Sequence, residues 1–366
     1  MSRVTSALAW SRRRWLRSTV LVLALSVVAS ALVGLFAAQA LAQETKQRLV
    51  VYTYDSLASG PAQIIKEGFE ARYPDVEVVF IAPGSSGETL ARLIAELDAG
   101  GTDADVLIGI SDTMLPRALE RGVFMPLDRS LLPNLAKVPN DLDFDKTGHV
   151  VPFDTGYVTL IYDSHVLRED ELPRSLEDLT DPRFRGKIIA IDPRTSSVGH
   201  AFLMWTIAEY GDPGYLDYWR RLAPNLLTVT SGWSTAYSYY EAGEAPIMVS
   251  YSTDTAYGVM YANSDRSRVL TPAGQGYRQI EAAGIVAGTD VPELAHRFLD
   301  YLLSVEVQQM IPTTNWMFPV NAETPLPEVW QEYAVVPANP VRLDAELIAK
   351  NEERWLREWA RVMAGR

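Results

Sequence analysis

Val150-Val-Pro-Phe-Asp-Thr-Gly-Tyr-Val-Thr-Leu-Ile-Tyr162 is a long extended-favouring run that carries two strand breakers, Pro152 and Gly156. Proline gives nothing to a hydrogen-bonded ladder and glycine packs no side chain. A run of this length holding both suits a crossover between two lobes better than a central strand. The sequence on either side supports that reading. Upstream, strands are predicted at 48–54, 75–82 and 105–110, with helices at 61–73, 89–99 and 114–121. Ile64, Ile65 and Phe69 share a face of the first helix, and Leu90, Leu93, Ile94 and Leu97 form the stripe of the second. This β-α-β-α-β rhythm belongs to a parallel sheet covered on both faces. Downstream the rhythm repeats, with strands at 187–191, 226–230 and 247–251 and helices at 198–210 and 235–242. A second extended run at 278–287 reads as the return crossover. Helices at 292–303, 305–310 and 344–363 follow, the last carrying Leu347, Trp355, Trp359 and Met363.

The expected fold is therefore α/β, two lobes joined by two crossover strands with a cleft between them. The expected division is 43–153 plus 279–366 for the first lobe and 154–278 for the second. In sheets of this kind ligands meet the loops beyond the carboxyl ends of the strands.

Composition narrows the chemistry. The 366 residues include no cysteine, which excludes disulfides, Fe–S clusters and thiol catalysis. The four histidines, His149, His165, His200 and His296, form no local metal motif. A formal charge of −13 argues against nucleic acid as a partner. Residues 1–17 hold five arginines and no acid, an apolar run follows, and Ala40-Leu41-Ala42 supplies small residues for cleavage after 42. Residues 1–42 thus read as an export signal, with an uncleaved anchor as the other possibility. Ser11-Arg12-Arg13-Arg14-Trp15-Leu16-Arg17 resembles the twin-arginine motif, or else a basic leader for the general secretory route. Removing residues 1–42 leaves 28 bases against 46 acids, a net charge of −18, which suits a cationic ligand.

The strand-end loops hold three kinds of group. The aromatics are Tyr54, Trp233, Tyr251 and Trp316, and the carboxylates are Asp55, Asp112, Asp154 and Asp254. Hydroxyls precede helices at Ser85, Ser86, Ser196 and Ser197, and Ser252 and Thr253 follow a strand. Each has a plainer explanation: Ser196 and Asp254 could cap helices, and the tryptophans could be packing residues. Their recurrence at nearly every strand end points instead to a ligand. Aromatic faces hold flat rings and favour cationic ones, carboxylates offset positive charge, and helix starts receive phosphate oxygens. A flat cationic heterocycle with an optional phosphate tail satisfies all three.

Catalytic motifs do not fit. Gly186-Lys187 lacks the rest of a phosphate-binding loop, and Gly232-Trp233-Ser234 lacks the closing glycine of a nucleophile elbow. A catalytic role for a chain of this kind would need an activated nucleophile.

The loops resemble those of the periplasmic thiamine-binding proteins, solute receptors of bacterial thiamine ABC importers within the type II periplasmic binding protein family. The resemblance is carried by Val51-Tyr-Thr-Tyr-Asp-Ser56, Val151-Pro-Phe-Asp-Thr-Gly-Tyr157, Asp192-Pro-Arg-Thr-Ser196, Thr228-Val-Thr-Ser-Gly-Trp-Ser234 with Ala236-Tyr237, Ser250-Tyr-Ser-Thr253 with Ala256-Tyr257, and Ile311-Pro-Thr-Thr-Asn-Trp-Met317. It implies a periplasmic, monomeric, non-catalytic receptor without cofactor or metal. That receptor would bind thiamine, thiamine phosphate or thiamine diphosphate and deliver it to an inner-membrane ABC permease. By position, Trp233 resembles the stacking tryptophan, Tyr251 to Asp254 a second ring-binding stretch, Ser196 and Ser197 the ligand-facing hydroxyl pair, and Trp316 an aromatic wall. Ser85 and Ser86 depart from the family, where Asp-Gly can stand. The family's ferric-iron receptors offer an alternative through Tyr239-Tyr240, unless one of that pair faces the core and the other solvent.

Overall fold

The computed structural model describes residues 46–365, so the expected export signal and its cleavage site lie outside the described residues. A single sheet runs through the described chain in the order β2-β1-β3-β9-β4-β7-β5-β6. Its strands are β1 (Gln47–Tyr52), β2 (Val76–Ile81), β3 (Val106–Ser111), β4 (Val150–Asp163), β5 (Ile188–Ile191), β6 (Leu226–Thr230), β7 (Ile247–Tyr251), β8 (Ser267–Leu270) and β9 (Gln275–Ile285), with the short β10 (Phe318–Pro319) on β4 and β11 (Asn339–Val341) on β9. β1 pairs with β3, and β5 with β6 and β7, all in parallel. Between these parallel sets lie β9 and β4, antiparallel to each other and to their outer neighbours.

β4 is both crossover and central strand, which revises the sequence expectation. Its first half pairs with β9 and its second half continues along β7 and β8. The breakers are accommodated locally. The register with β9 shifts between Pro152 and Asp154, so the proline sits at an irregularity of the ladder. Gly156 is needed for space, since a Cβ there would lie 2.8 Å from the side chain of Met317.

The packed interior falls into distinct clusters. Around β1 and β3, Leu49, Val51 and Val106 pack with Phe69, Phe298 and Leu299. Around β5 and β7, Ile189 and Val249 pack with Phe202, Trp205 and Trp219. Trp359 joins the second cluster, 5.6 Å from Trp219 and nearly perpendicular to it. The helix Ala345–Ala364 therefore lays its apolar stripe (Ile348, Trp355, Trp359) on the 158–249 cluster, although the expected lobe division grouped it with the first lobe. Asp344 starts that helix by accepting from the N–H groups of Glu346 and Leu347. Burying one tryptophan removes roughly 150–250 Å2 from water, on the order of 4–6 kcal/mol before ordering costs. That is why aromatic spacing outweighs chain order here.

Two of the longer helices, Gly214–Leu222 and Asp254–Ala262, were not placed by the sequence reading, nor were the short helices Asp55–Ser59, Ile311–Thr314 and Glu328–Tyr333. Gly214–Leu222 packs Tyr215, Tyr218 and Trp219 inward. Asp254–Ala262 contains Gly258, a helix-weakening residue at which a Cβ would lie 2.8 Å from the carbonyl oxygen of Ser264. Among the described residues no helix is long and apolar enough to cross a membrane.

Candidate functional site

A cleft of about 450 Å3 opens where the carboxyl ends of β1 and β7 and the starts of several helices meet. This lies within the roughly 300–1,000 Å3 usual for small-molecule sites. One wall is aromatic and borne by helices. Trp233 is the first residue of helix Trp233–Glu241, and its ring stacks on Tyr237 one turn later, 4.7 Å apart and 23° from parallel. Its indole N–H donates to Ser250 Oγ at 2.8 Å, which fixes the ring without burying it. Helix Asp254–Ala262 repeats the device, with Tyr257 and Tyr261 stacked one turn apart. The Trp316 ring meets both edge-on, at 4.7 and 5.0 Å.

Trp316 adopts φ +59°, a left-handed conformation that costs a bulky residue on the order of 1–3 kcal/mol. Thr253 Oγ1 donates to its carbonyl at 2.6 Å, and Trp330 packs behind the ring. Those contacts hold the strained turn that presents the indole to the cleft.

The floor is acidic and borne by strands. Glu281 of β9 lines the cleft although it is only 2% exposed. Tyr54 donates its phenol to Glu281 Oε2 at 2.7 Å, and Gln279 donates to Oε1 at 3.0 Å. Asn315 Nδ2 lies 3.1 Å from the Tyr54 hydroxyl and donates to Asp154 Oδ2 at 2.7 Å. Burial raises the pKa of Glu281 and, further, of Asp154, and the neighbouring Glu281 charge adds to the shift of Asp154. Burial likewise pushes Asp254 up to about 7. Among the described residues, three carboxylates line the cleft, Asp55, Asp254 and Glu281, and no lysine, arginine or histidine does.

Hydroxyls form the third side, and here they bind the protein to itself. Ser85 caps helix Ser86–Asp98 in a box with Glu88, and its Oγ donates to the carbonyl of Thr195 at 2.5 Å. The N–H of Gly87 donates to the same carbonyl at 2.8 Å, and the N–H of Ser197 donates to Ser86 Oγ at 2.9 Å. The 85–87 loop and the 195–197 loop are thus clasped across the cleft. Ser196 is the N-cap of helix Ser197–Tyr210 and makes no side-chain cap bond.

Most sequence-predicted residues border this cleft: Tyr54, Asp55, the four serines, Trp233, Tyr251, Thr253, Asp254 and Trp316. Three do not. Asp154 lies fully buried one hydrogen bond behind Asn315. Asp112, at the end of β3, exchanges backbone and side-chain bonds with Ile280, and burial raises it to about 6 despite Arg342 and Arg278 nearby. Ser252 is buried; its N–H donates to Tyr157 and its carbonyl accepts from Val335. The reading of residues missed Glu281, Asn315, Tyr237, Tyr257 and Tyr261. Tyr237 and Tyr257 had a usable signal, an aromatic spaced three or four residues from a strand-end ring or carboxylate, and Tyr261 lies one turn beyond Tyr257. Tyr239 and Tyr240 do not converge: Tyr239 is exposed, and Tyr240 is buried with its hydroxyl on Ser267.

Comparison with known proteins places the chain. Residues 102–339 match the family model for bacterial extracellular solute-binding proteins. The fold also superposes on a solved "Periplasmic thiamin binding protein" with a TM-score of 0.79 at 33% identity, covering 87% of this chain and 96% of that one. A ferric ion-binding protein A from Pasteurella haemolytica shares the fold alone, with a TM-score of 0.70 at 17% identity. The architecture is that of a type II periplasmic binding protein, two α/β halves joined by crossover strands.

Among curated relatives, the thiamine-binding periplasmic protein of Brucella abortus biovar 1 (strain 9-941) is 36% identical over 324 residues, 87% of this chain and 92% of that protein. Its counterpart in Escherichia coli K12 is 33% identical over 321 residues, 87% and 94% respectively. The chain belongs to the thiamine-binding periplasmic protein family. These relatives are named as periplasmic binding proteins.

Proposed function

We propose that this protein is the extracytoplasmic receptor that captures thiamine and hands it to an ABC importer. The observation that carries the reading is the cleft lining: aromatic faces and three carboxylates, with no basic side chain. Thiamine pairs a cationic thiazolium with a flat aminopyrimidine. Stacked rings favour both and lining acids favour the charge. Family membership supports the same ligand, since the relatives carry thiamine in their names.

Several finer points belong to this proposal. The ligand-binding set is Tyr54, Asp55, Ser85, Ser86, Ser196, Ser197, Trp233, Tyr251, Thr253, Asp254 and Trp316, with Asp112, Asp154 and Ser252 acting from behind the surface. One lobe comprises 43–153 plus 279–366 and the other 154–278, with the tryptophans of the final helix packed against the second. Residues 1–42 direct export, and the mature receptor works as a monomer. Thiamine phosphates would use backbone N–H groups at the starts of the long helices, since no basic side chain lines the cleft. Native mass spectrometry of the protein purified from cells tests the reading. The expected result is a co-purified species with the mass of thiamine or one of its phosphates; a bound ferric ion would overturn it.

A further inference from the structure

The cleft floor carries more than its position requires. Glu281 and Asp154 are both carboxylates, 2% and 0% exposed, joined through Tyr54 and Asn315 with no base in the chain of contacts. Asp154 Oδ1 and Gln279 Oε1 are buried acceptors without a hydrogen-bond partner. Groups from five places in the sheet face Glu281. Tyr54 follows β1, Asp112 follows β3, Asp154 lies on β4, Tyr251 ends β7, and Gln279 shares β9. All are acids or neutral. Tyr251 receives the other bond of Gln279 Nε2 at 3.0 Å, and its phenol stays protonated because burial raises its pKa well above 10. Arg278 and Arg342 act on Asp112, and Arg278 also pairs with Asp141. Two buried carboxylates cannot both stay ionised at low dielectric cost without a positive charge among them.

Resting on the thiamine reading above, we propose that the Glu281–Asp154 pair is the charge-selecting element of the cleft and that it exchanges a proton for the ligand's positive charge. In the unliganded protein one carboxyl of the pair keeps its O–H. When a cationic ring settles over Glu281, that O–H bond breaks, the proton passes to solvent, and the ligand's charge takes its place. The aromatic wall then recognises any flat ring, while the floor demands that the ring be positive. Discrimination against neutral isosteres resides in Glu281, not in Trp233.

Calorimetric titrations near neutral pH, in buffers of differing ionisation enthalpy, count the protons released. The probes are thiamine and 3-deazathiamine, whose corresponding ring is neutral. Wild-type protein should release close to one proton on binding thiamine and none on binding the isostere. In Glu281→Gln the release should vanish and the thiamine-to-isostere affinity ratio should fall at least tenfold. The wild-type count needs no variant, so poor folding of Glu281→Gln would not shield the proposal. Thiamine binding without proton release, or an unchanged ratio in Glu281→Gln, would overturn it while leaving the functional reading standing. Failure of wild-type protein to bind thiamine would overturn both.

Discussion

The two sides of the cleft are built on different principles. The aromatic wall comes from helix starts: Trp233 with Tyr237, and Tyr257 with Tyr261, each pair one turn apart on its own helix. The acidic floor comes from strands and turns far apart in sequence, so that Tyr54 meets Glu281 across 227 positions and Asn315 meets Asp154 across 161. A helix can offer a stacked pair with little outside help, and the cost of altering it falls on the ligand. A floor assembled by sheet register is part of the fold, and its chemistry is tied to stability. The wall should therefore tolerate substitution with loss of binding, and the floor should respond to pH even without ligand.

The largest expected effect is on that pH response. An unfolded aspartate ionises near 4, whereas burial holds Asp254 to about 7 and Asp112 to about 6, and the floor pair is raised as well. Between these values the folded protein holds protons that the unfolded chain has already released. Unfolding therefore releases protons, and stability falls as pH rises from about 4 through about 7. The fall should be on the order of a few kcal/mol, read as a declining urea midpoint for unliganded protein. Asp254→Asn should flatten part of the slope and leave the floor's part. A stability that rises over this range would show that the buried carboxyls are compensated.

Next is Trp233→Ala. Stacking a desolvated cation on tryptophan is worth about 2 kcal/mol, so thiamine should bind at least roughly 30-fold more weakly. Trp233→Phe should recover part of the loss. The half-open ring should leave the thermal midpoint of the unliganded protein little changed. A large drop in that midpoint with intact affinity would make Trp233 a packing residue and erase the contrast between wall and floor.

Thr253→Val tests the strained turn. Losing the hydroxyl that holds the carbonyl of Trp316 removes about 1 kcal/mol, and thiamine affinity should fall about fivefold. The smallest effect is expected for Ser86→Ala, which deletes the acceptor for the N–H of Ser197 but leaves the Gly87 and Ser85 clasp intact. Small-angle scattering should show thiamine shrinking the wild-type radius, with Ser86→Ala needing a few-fold more thiamine for the same change. An unchanged wild-type radius on binding would mean that the clasp does not report closure.

The legible parts of the sequence follow the same division. The parallel sets, the crossover character of 150–162 and the strand-end loops could be read because each is announced by neighbouring residues. Trp233 stood out as a large ring directly after a strand, and Trp316 as one in the loop region that follows the return crossover. Glu281 did not, since within Arg278-Gln-Ile-Glu-Ala-Ala283 it looks like one polar position in a strand. Only the pairing of β9 with β3 and β4 carries it to the cleft. Asp112 and Asp154 were read as lining carboxylates because their loops point the right way. The register instead buries Asp154 behind Asn315 and ties the partly exposed Asp112 to Ile280, outside the cleft lining. The final helix was grouped by its place in the chain, whereas Trp355 and Trp359 grouped it by burial.

The central claim is that this cleft recognises thiamine, and isothermal titration of thiamine into the purified mature protein at neutral pH tests it most directly. The expected result is one-to-one binding with a dissociation constant of about 1 μM or tighter, equivalent to roughly −8 kcal/mol or better. Binding weaker than about 1 mM, in protein that unfolds cooperatively and has been freed of co-purified ligand, would contradict the account.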